Sequence, residues 1–335
     1  MIEESVVRAI RESPLLYIHW HYWIFVITAI FHWVNSAKEK TVSPPGKLFN
    51  INGKKIHLYT KGKGSITVIL DHSLGGIEGY FLIDEIAKIT QVCICDRPGY
   101  GWSEPSNNRC SQTIVEELDL LFTTAKIEPP YILVGDSFGS YNMRLYAHKF
   151  PDKVKGMVLT DGLHEAAMLN MPLMVKAVKY LFISGFIMSV FGSILGIIRL
   201  MGIIGLFELI KPELKRFNLE QRRRVKHSFY SHNHWLTMAR ELINLDRSGR
   251  QLKVANDFGN LPIVSIKSKS FFKPSVFTIF LPLKTIDKLR DKIHYNLSLL
   301  SDNYLEIPAK NSSHFVWIDE PEIIIQAIRQ LAIDN

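Results

Sequence analysis

The chain has 335 residues, 47% of them hydrophobic and 21% charged, which excludes a disordered or fibrous protein and suffices for one large domain with an insertion. Forty basic against 32 acidic residues leave a net charge of +8, and the one dense basic run, Arg222 to Lys226, carries no nucleic-acid motif, so no nucleic-acid partner is expected. Three cysteines make no disulfide framework and match no zinc or redox spacing; Cys93 and Cys95 alternate within an apolar strand, as core thiols in a reducing compartment would.

From Pro14 to Val34 there is no Asp, Glu, Lys or Arg, and a helix of that length crosses the roughly 30 Å of bilayer hydrocarbon. Tyr17, Trp20, Tyr22 and Trp23 crowd one end and Trp33 marks the other, as interfacial aromatics do, with His19, His21 and His32 expected in the headgroup zones. A single-pass N-terminal anchor is therefore expected. The competing reading, a signal peptide cleaved near Val34 to Ala37, requires a shorter apolar run. Arg8 and Arg11 before the span nearly balance Lys38, Lys40 and Lys47 after it, so the bias toward a cytoplasmic catalytic domain is slight.

After a polar linker from Lys38 to Gly46, short strands are expected at Leu48 to Ile51, Lys55 to Thr60 and Ile66 to Asp71, the last running into the small-residue stretch DHSLGG. The strand Gln91 to Asp96 leads into DRPGYGWSE, where Asp96 and Arg97 are expected to brace the loop as an ion pair, and a helix follows from about Gln112 to Ala125. The stretch Tyr131 to Asn142, YILVGDSFGSYN, reads as strand, sharp turn and helix with Ser137 at the apex. Gly135 and Gly139 flank the serine because a turn so tight leaves no room for side chains.

The next strand, Val154 to Thr160, ends at Asp161. The alternation from Ile66 onward implies an α/β fold: a mainly parallel central sheet with helices on both faces. Between Glu165 and Asn260 long helical runs replace that alternation, including the apolar Leu181 to Ile198 and Leu200 to Leu209. A second membrane span there would put the returning strand, Leu261 to Ile266, on the wrong side. The stretch is expected to be an inserted helical cap that lines a cleft or dips into the lipid surface, with Arg222 to Lys226 on its polar side.

Four motifs in order, DHSLGG, DRPGYGWSE, GDSFGS and SSHFVWIDEPE, give the chain a resemblance to the α/β-hydrolase fold superfamily, in the serine hydrolase branch with a helical cap. With the charge-free N-terminal run, the expected division is a membrane helix and linker over residues 1–45, a hydrolase core over 46–164 and 261–335, and a cap over 165–260. The resemblance implies Ser137 as nucleophile, His314 as its base, and the amides of Leu74 and Phe138 as oxyanion donors.

Two features depart from the pattern. Ser73 stands where the first glycine of His-Gly-x-Gly is usual, and KSKSFFKPS, after the strand that normally precedes the acid, holds no Asp or Glu. Some members place the acid one strand earlier, which assigns it to Asp161, with Asp287, Asp291 and Asp302 as alternatives.

The expected activity is cleavage of carboxylic esters with apolar acyl groups through an acyl-enzyme, with no metal, no organic cofactor and no obligate protein partner. Halide and epoxide hydrolysis on this fold use an aspartate nucleophile, which Ser137 disfavours. Two readings compete: a catalytically silent lipid- or protein-binding domain, and a proline-type aminopeptidase whose amine-holding carboxylates would be Glu208, Glu213, Glu220 or Glu241.

Overall fold

Helix α1 (Pro14–Glu39) leads to strands β1 (Lys47–Ile51) and β2 (Lys54–Lys61). These form an antiparallel hairpin because Asn52 and Gly53 accept positive φ of 51° and 78°, the left-handed geometry of a two-residue turn. There follow β3 (Thr67–Asp71), α2 (Gly79–Ile86), β4 (Gln91–Asp96), α3 (Ser111–Ala125), β5 (Tyr131–Asp136), α4 (Phe138–Lys149) and β6 (Val154–Thr160). The insertion then contributes α5 (Glu165–Met168), α6 (Leu173–Ile194), α7 (Ile197–Ile203), α8 (Leu206–Ile210), α9 (Leu219–Tyr230), α10 (His232–Ile243) and α11 (Leu245–Gln251). The chain returns through β7 (Ile263–Ser268), α12 (Leu283–Leu297), β8 (Tyr304–Ala309), α13 (Val316–Asp319) and α14 (Pro321–Ile333). This computed structural model describes residues 14–39, 41, 43–273, 278 and 280–333, with side chains from residue 22 onward; Arg8, Arg11 and Lys40 lie outside the described residues.

The eight strands form one sheet in the order β1-β2-β4-β3-β5-β6-β7-β8. Only β2 pairs antiparallel, with β1 and β4; every other neighbouring pair is parallel. Successive strand residues point to opposite faces, so each buried strand feeds two cores. Ile69, Cys93, Leu133 and Met157 meet Leu118 of α3 and Tyr141 and Leu145 of α4 on one face. Leu70, Ile94, Val134 and Val158 meet Ile83 of α2 and Ile324 and Ile328 of α14 on the other.

The expected ion pair between Asp96 and Arg97 does not form, for the same reason of alternation. Asp96, the last residue of β4, accepts from His57 Nδ1 at 2.9 Å, Tyr80 Oη at 3.0 Å and the Trp102 amide at 3.1 Å. Arg97 points elsewhere. Its Nη1 donates to Asp71 Oδ1 at 2.6 Å, while Nη2 and Nε donate to the two oxygens of Glu241 on α10 at 2.9 and 3.0 Å. The remaining donor capacity goes to the carbonyls of His72 at 2.8 Å and Ser73 at 2.9 Å, so one guanidinium joins β3, the loop after it and the insertion.

A second arginine ties α1 down. Arg199 on α7, itself buried, holds Glu39 through two hydrogen bonds of 2.6 and 2.7 Å and donates to His32 Nδ1 at 3.1 Å, while Trp33 Nε1 donates to the Ile194 carbonyl at 3.2 Å. Among the described residues, α6 is long and apolar enough to cross a membrane, yet little of it is buried.

Replacing Arg97 by methionine strands the buried carboxyls of Asp71 and Glu241 without their common partner. Urea unfolding of the full chain in detergent is expected to show a loss of ~3–5 kcal/mol, the usual cost of breaking a buried ion pair from one side. A loss below about 1 kcal/mol would mean that the guanidinium does not join core and insertion.

Candidate active site

Ser137 lies at the junction of β5 and α4 with φ 48° and ψ −110°, a left-handed backbone that a non-glycine residue adopts only under constraint. The constraint is visible around it. The Ser137 amide donates to the Thr160 carbonyl at 3.0 Å, and Ser140 Oγ donates to the Ser137 carbonyl at 2.6 Å while accepting from the Leu163 amide at 2.8 Å. A β-carbon on Gly135 would come within 2.7 Å of Ser140 Cα, and one on Gly139 would run into the Asp71 carbonyl, so both flanks must be glycine.

His314 sits on the loop between β8 and α13, its ring stacked on Phe271 at 4.3 Å between centroids. The Ser137 Oγ lies 2.9 Å from His314 Nε2, and His314 Nδ1 lies 2.6 Å from Asp161 Oδ2. A carboxylate only accepts, so Nδ1 carries the proton and the Nε2 lone pair faces the serine hydroxyl. Asp161 follows β6 with φ 41°, and its amide donates to the Ile266 carbonyl at 2.8 Å. The structure thus brings Ser137, His314 and Asp161 into one hydrogen-bonded line, and all three are buried.

The other carboxylates named from the sequence lie elsewhere. Asp287 accepts from the Phe271 amide at 3.1 Å, Asp291 pairs with Lys267 at 2.9 Å, and Asp302 lies in the exposed turn before β8. Phe138 is the first residue of α4, so its amide is among the donors that a helix start leaves unmatched. Leu74 lies in the half-buried loop whose carbonyls at 72 and 73 Arg97 holds.

Two side chains of the site, His294 and Glu78, lie outside every motif of the sequence. His294, on α12 and almost fully buried, places Nε2 3.2 Å from Asp161 Oδ1, so that carboxylate lies between two imidazoles. The Ser268 amide adds a third donor at 3.2 Å, and Arg290 Nη1 stands 3.9 Å away. Asp136, beside the serine, accepts from Thr160 Oγ1 at 2.6 Å, and Glu78 heads α2. Only the period-3 and period-4 spacing of Ile286, Ile293 and Leu297 marks the face of α12 that buries His294, and nothing local distinguishes that histidine from a core one.

The electrostatics separate these groups. Burial works against the Asp161 charge, but the hydrogen bonds from His294 and His314 outweigh it and hold the carboxyl far below the usual range. Burial would lower the His314 pKa, yet the facing Asp161 raises it above the ordinary 6.5. Burial pushes Asp136 up to about 8, against the pull of His314, and Glu78 up to about 7. Beside the site lies a cavity of about 330 Å³ bounded by Glu78, Phe81, Phe229, Trp235, Phe315 and Ile318. Among the described residues no group of three or more His, Cys, Asp or Glu side chains is arranged to hold a metal ion.

The chain has the α/β-hydrolase fold, and the model of that fold family matches residues 66–182. Two curated relatives and one solved structure give the likeness its scale. A 2-hydroxy-6-oxononadienedioate/2-hydroxy-6-oxononatrienedioate hydrolase of Escherichia coli is 28% identical over 165 residues, 44% of this chain and 54% of that protein. An uncharacterized vacuolar membrane protein of Saccharomyces cerevisiae is 29% identical over 151 residues, 42% of this chain and 23% of that protein. The chain spans about half or less of the length of the curated relatives it matches. The Cif epoxide hydrolase from Acinetobacter nosocomialis aligns with a TM-score of 0.64 at 14% identity over 90% of this chain and 96% of that one, a likeness of fold alone.

The pairing of His314 with Asp161 fixes the sign of one titration. A facing carboxylate favours the imidazolium, so His314 should titrate above 6.5, and Asp161→Asn should move its midpoint downward. NMR titration of protein carrying labelled histidine checks this. A midpoint that does not move in the variant would contradict the electrostatic pairing.

Proposed function

We propose that the protein is a membrane-anchored serine hydrolase that cleaves carboxylic esters with apolar acyl groups through an acyl-enzyme on Ser137. The observation that carries this reading is the line Ser137 Oγ, His314, Asp161, at 2.9 and 2.6 Å, with the serine lifted on a strained turn. His314 Nε2 accepts the hydroxyl proton as Oγ attacks the ester carbonyl; the resulting oxyanion is met by the amides of Phe138 and Leu74. Collapse expels the alcohol, which takes the proton from His314, and water attacks the acyl-serine with His314 again as base. Asp161 stays ionised throughout and stabilises the imidazolium in each half-reaction.

The hydrolase name of the Escherichia coli relative supports the class of reaction, and a serine at the elbow apex favours esters over the epoxides of the compared structure. For the membrane half of the reading, α1 supplies the anchor and the insertion acts as a cap. Its support is the exposed Trp23, Phe25, Ile27 and Ile30 on α1 and Leu173, Leu181, Met188 and Phe191 on α6, together with the membrane location in the yeast relative's name.

Two outcomes test the proposal. With p-nitrophenyl esters as substrate, Ser137→Ala should lower kcat by ~10⁶ and Asp161→Asn by ~10⁴, whereas Asp287→Asn and Asp302→Asn should stay near wild type. A full rate in Asp161→Asn would move the acid elsewhere. The full-length chain should remain in the membrane pellet after a carbonate wash, and kcat/KM should rise with acyl length by up to about fourfold per CH₂, the equivalent of ~0.8 kcal/mol of burial. Release by carbonate and a flat length profile would point instead to a small polar substrate.

A further inference from the structure

Among the buried carboxyls near Ser137, Asp136 and Glu78 have no task in the proposed reaction, and Asp136 is already bonded to Thr160 Oγ1. Glu78 is nine-tenths buried, and its Oε2 has no hydrogen-bond partner among the described residues, although a buried oxygen without a donor is costly. The carboxyl lies at a junction. On one side it packs against Gly76 and Ser73 of the loop carrying the proposed oxyanion donor, since a β-carbon on Gly76 would collide with Glu78 Oε2 and come within 2.6 Å of Ser73 Oγ. On the other, Glu78 lines the cavity of about 330 Å³ together with Phe81, Phe229, Trp235, Ile318 and Phe315, the last directly following His314.

A cavity of this size, lined mostly by apolar side chains with a few charged ones among them, is the usual form of a site that holds a hydrocarbon chain and reads one feature on it. The missing feature is a hydrogen-bond donor, and its charge can be argued. Lys211, Arg222 and Lys226 also line the cavity with Glu208, which pairs with Arg222 and Lys226, while Lys211 pairs with Asp319 outside the lining; the charges of Arg97 and His314 also act on Glu78, and His314 becomes cationic during the proposed reaction. Three cations against one carboxylate besides Glu78 in the lining disfavour an ammonium group. Burial, which holds the Glu78 pKa near 7, further weakens it as a partner for a cation while leaving it able to accept from a neutral donor.

We infer that the substrate is an apolar ester carrying a free hydroxyl a few bonds from its carbonyl, the chain filling this cavity and the hydroxyl donating to Glu78. The inference rests on the serine hydrolase reading for its chemistry but not for its binding. The hydroxyl can belong to the alcohol half, as in a monoacyl polyol, or to the acyl half, as in a β-hydroxyacyl ester, and matched compounds separate the two.

The test measures ratios within each protein, so that a general loss of activity does not obscure it. Binding to the full-length Ser137→Ala chain is measured in detergent for decylglycerol ether against decyl propyl ether, and for a β-hydroxy ketone against its parent ketone. One of these pairs should show a roughly 10- to 100-fold preference for the hydroxyl, the range of a hydrogen bond to a carboxylate. Adding Glu78→Leu should bring that preference close to unity, and Glu78→Gln, which keeps an acceptor oxygen, should retain part of it. The same ratio in kcat/KM for monodecanoyl glycerol against propyl decanoate should follow in the wild type if the hydroxyl is on the alcohol side. No hydroxyl preference in either pair, or one unchanged in both Glu78 variants, overturns the inference. A preference that depends on Glu78 in a protein that hydrolyses neither ester upholds the binding site and removes the serine hydrolase reading instead.

Discussion

The carboxylate of Asp161 is a full charge, almost completely buried, and the C-terminal half of the core is arranged to keep it so. An uncompensated charge in such a place would cost several kcal/mol, and the compensation here comes from three separate segments. His314 reaches it from the loop after β8, His294 from α12, and the Ser268 amide from the end of β7. One charge therefore fixes where the segments after the insertion must come to rest, and it also fixes the tautomer of the imidazole that faces Ser137. The backbone bears a matching constraint: Ser137 and Asp161, at the ends of neighbouring strands, both hold positive φ, and the Ser137 amide bonds to the carbonyl just before Asp161.

Much of this was legible in the chain because it is encoded locally. The elbow glycines, the strand that precedes them and the order of the four motifs depend on neighbours in sequence, and the α/β class followed from them. What the sequence concealed depends on distant partners. Asp96 and Arg97 are adjacent and oppositely charged, yet strand alternation sends them to different faces, and the partner of Arg97 on α10 lies far along the chain. β5 extends to Asp136, beyond the apolar run ending at Val134, because Gly135 and Asp136 still pair with Leu159 and Thr160. β8 has largely exposed residues and a proline, so it lacks the apolar pattern of the inner strands. His294 has no local signature at all, since its role depends on a contact with Asp161, 133 residues earlier in the chain.

The surface and the site point to the same kind of substrate. Two long helices, α1 and α6, leave large apolar side chains exposed, and Arg199 locks α1 to the insertion through Glu39 and His32. A cavity lies between that same insertion and the core, with Phe315 in its wall. A bilayer is a solvent in which such exposed helices cost nothing, and it is also the place where an ester with a long chain is most concentrated. Under the proposed function, the anchor and the cap would bring substrate from lipid to Ser137, with Arg97 holding the insertion against the loop that would steady the oxyanion.

The central claim is that Ser137 is a nucleophile activated by His314. Its most direct measurement is peptide mapping of the full-length protein after reaction with a fluorophosphonate, which is attacked only by an activated hydroxyl. The account predicts a single phosphonylated residue, Ser137, and loss of the adduct when His314 is replaced by alanine. An adduct on another serine, or an unchanged adduct in the His314 variant, would contradict it.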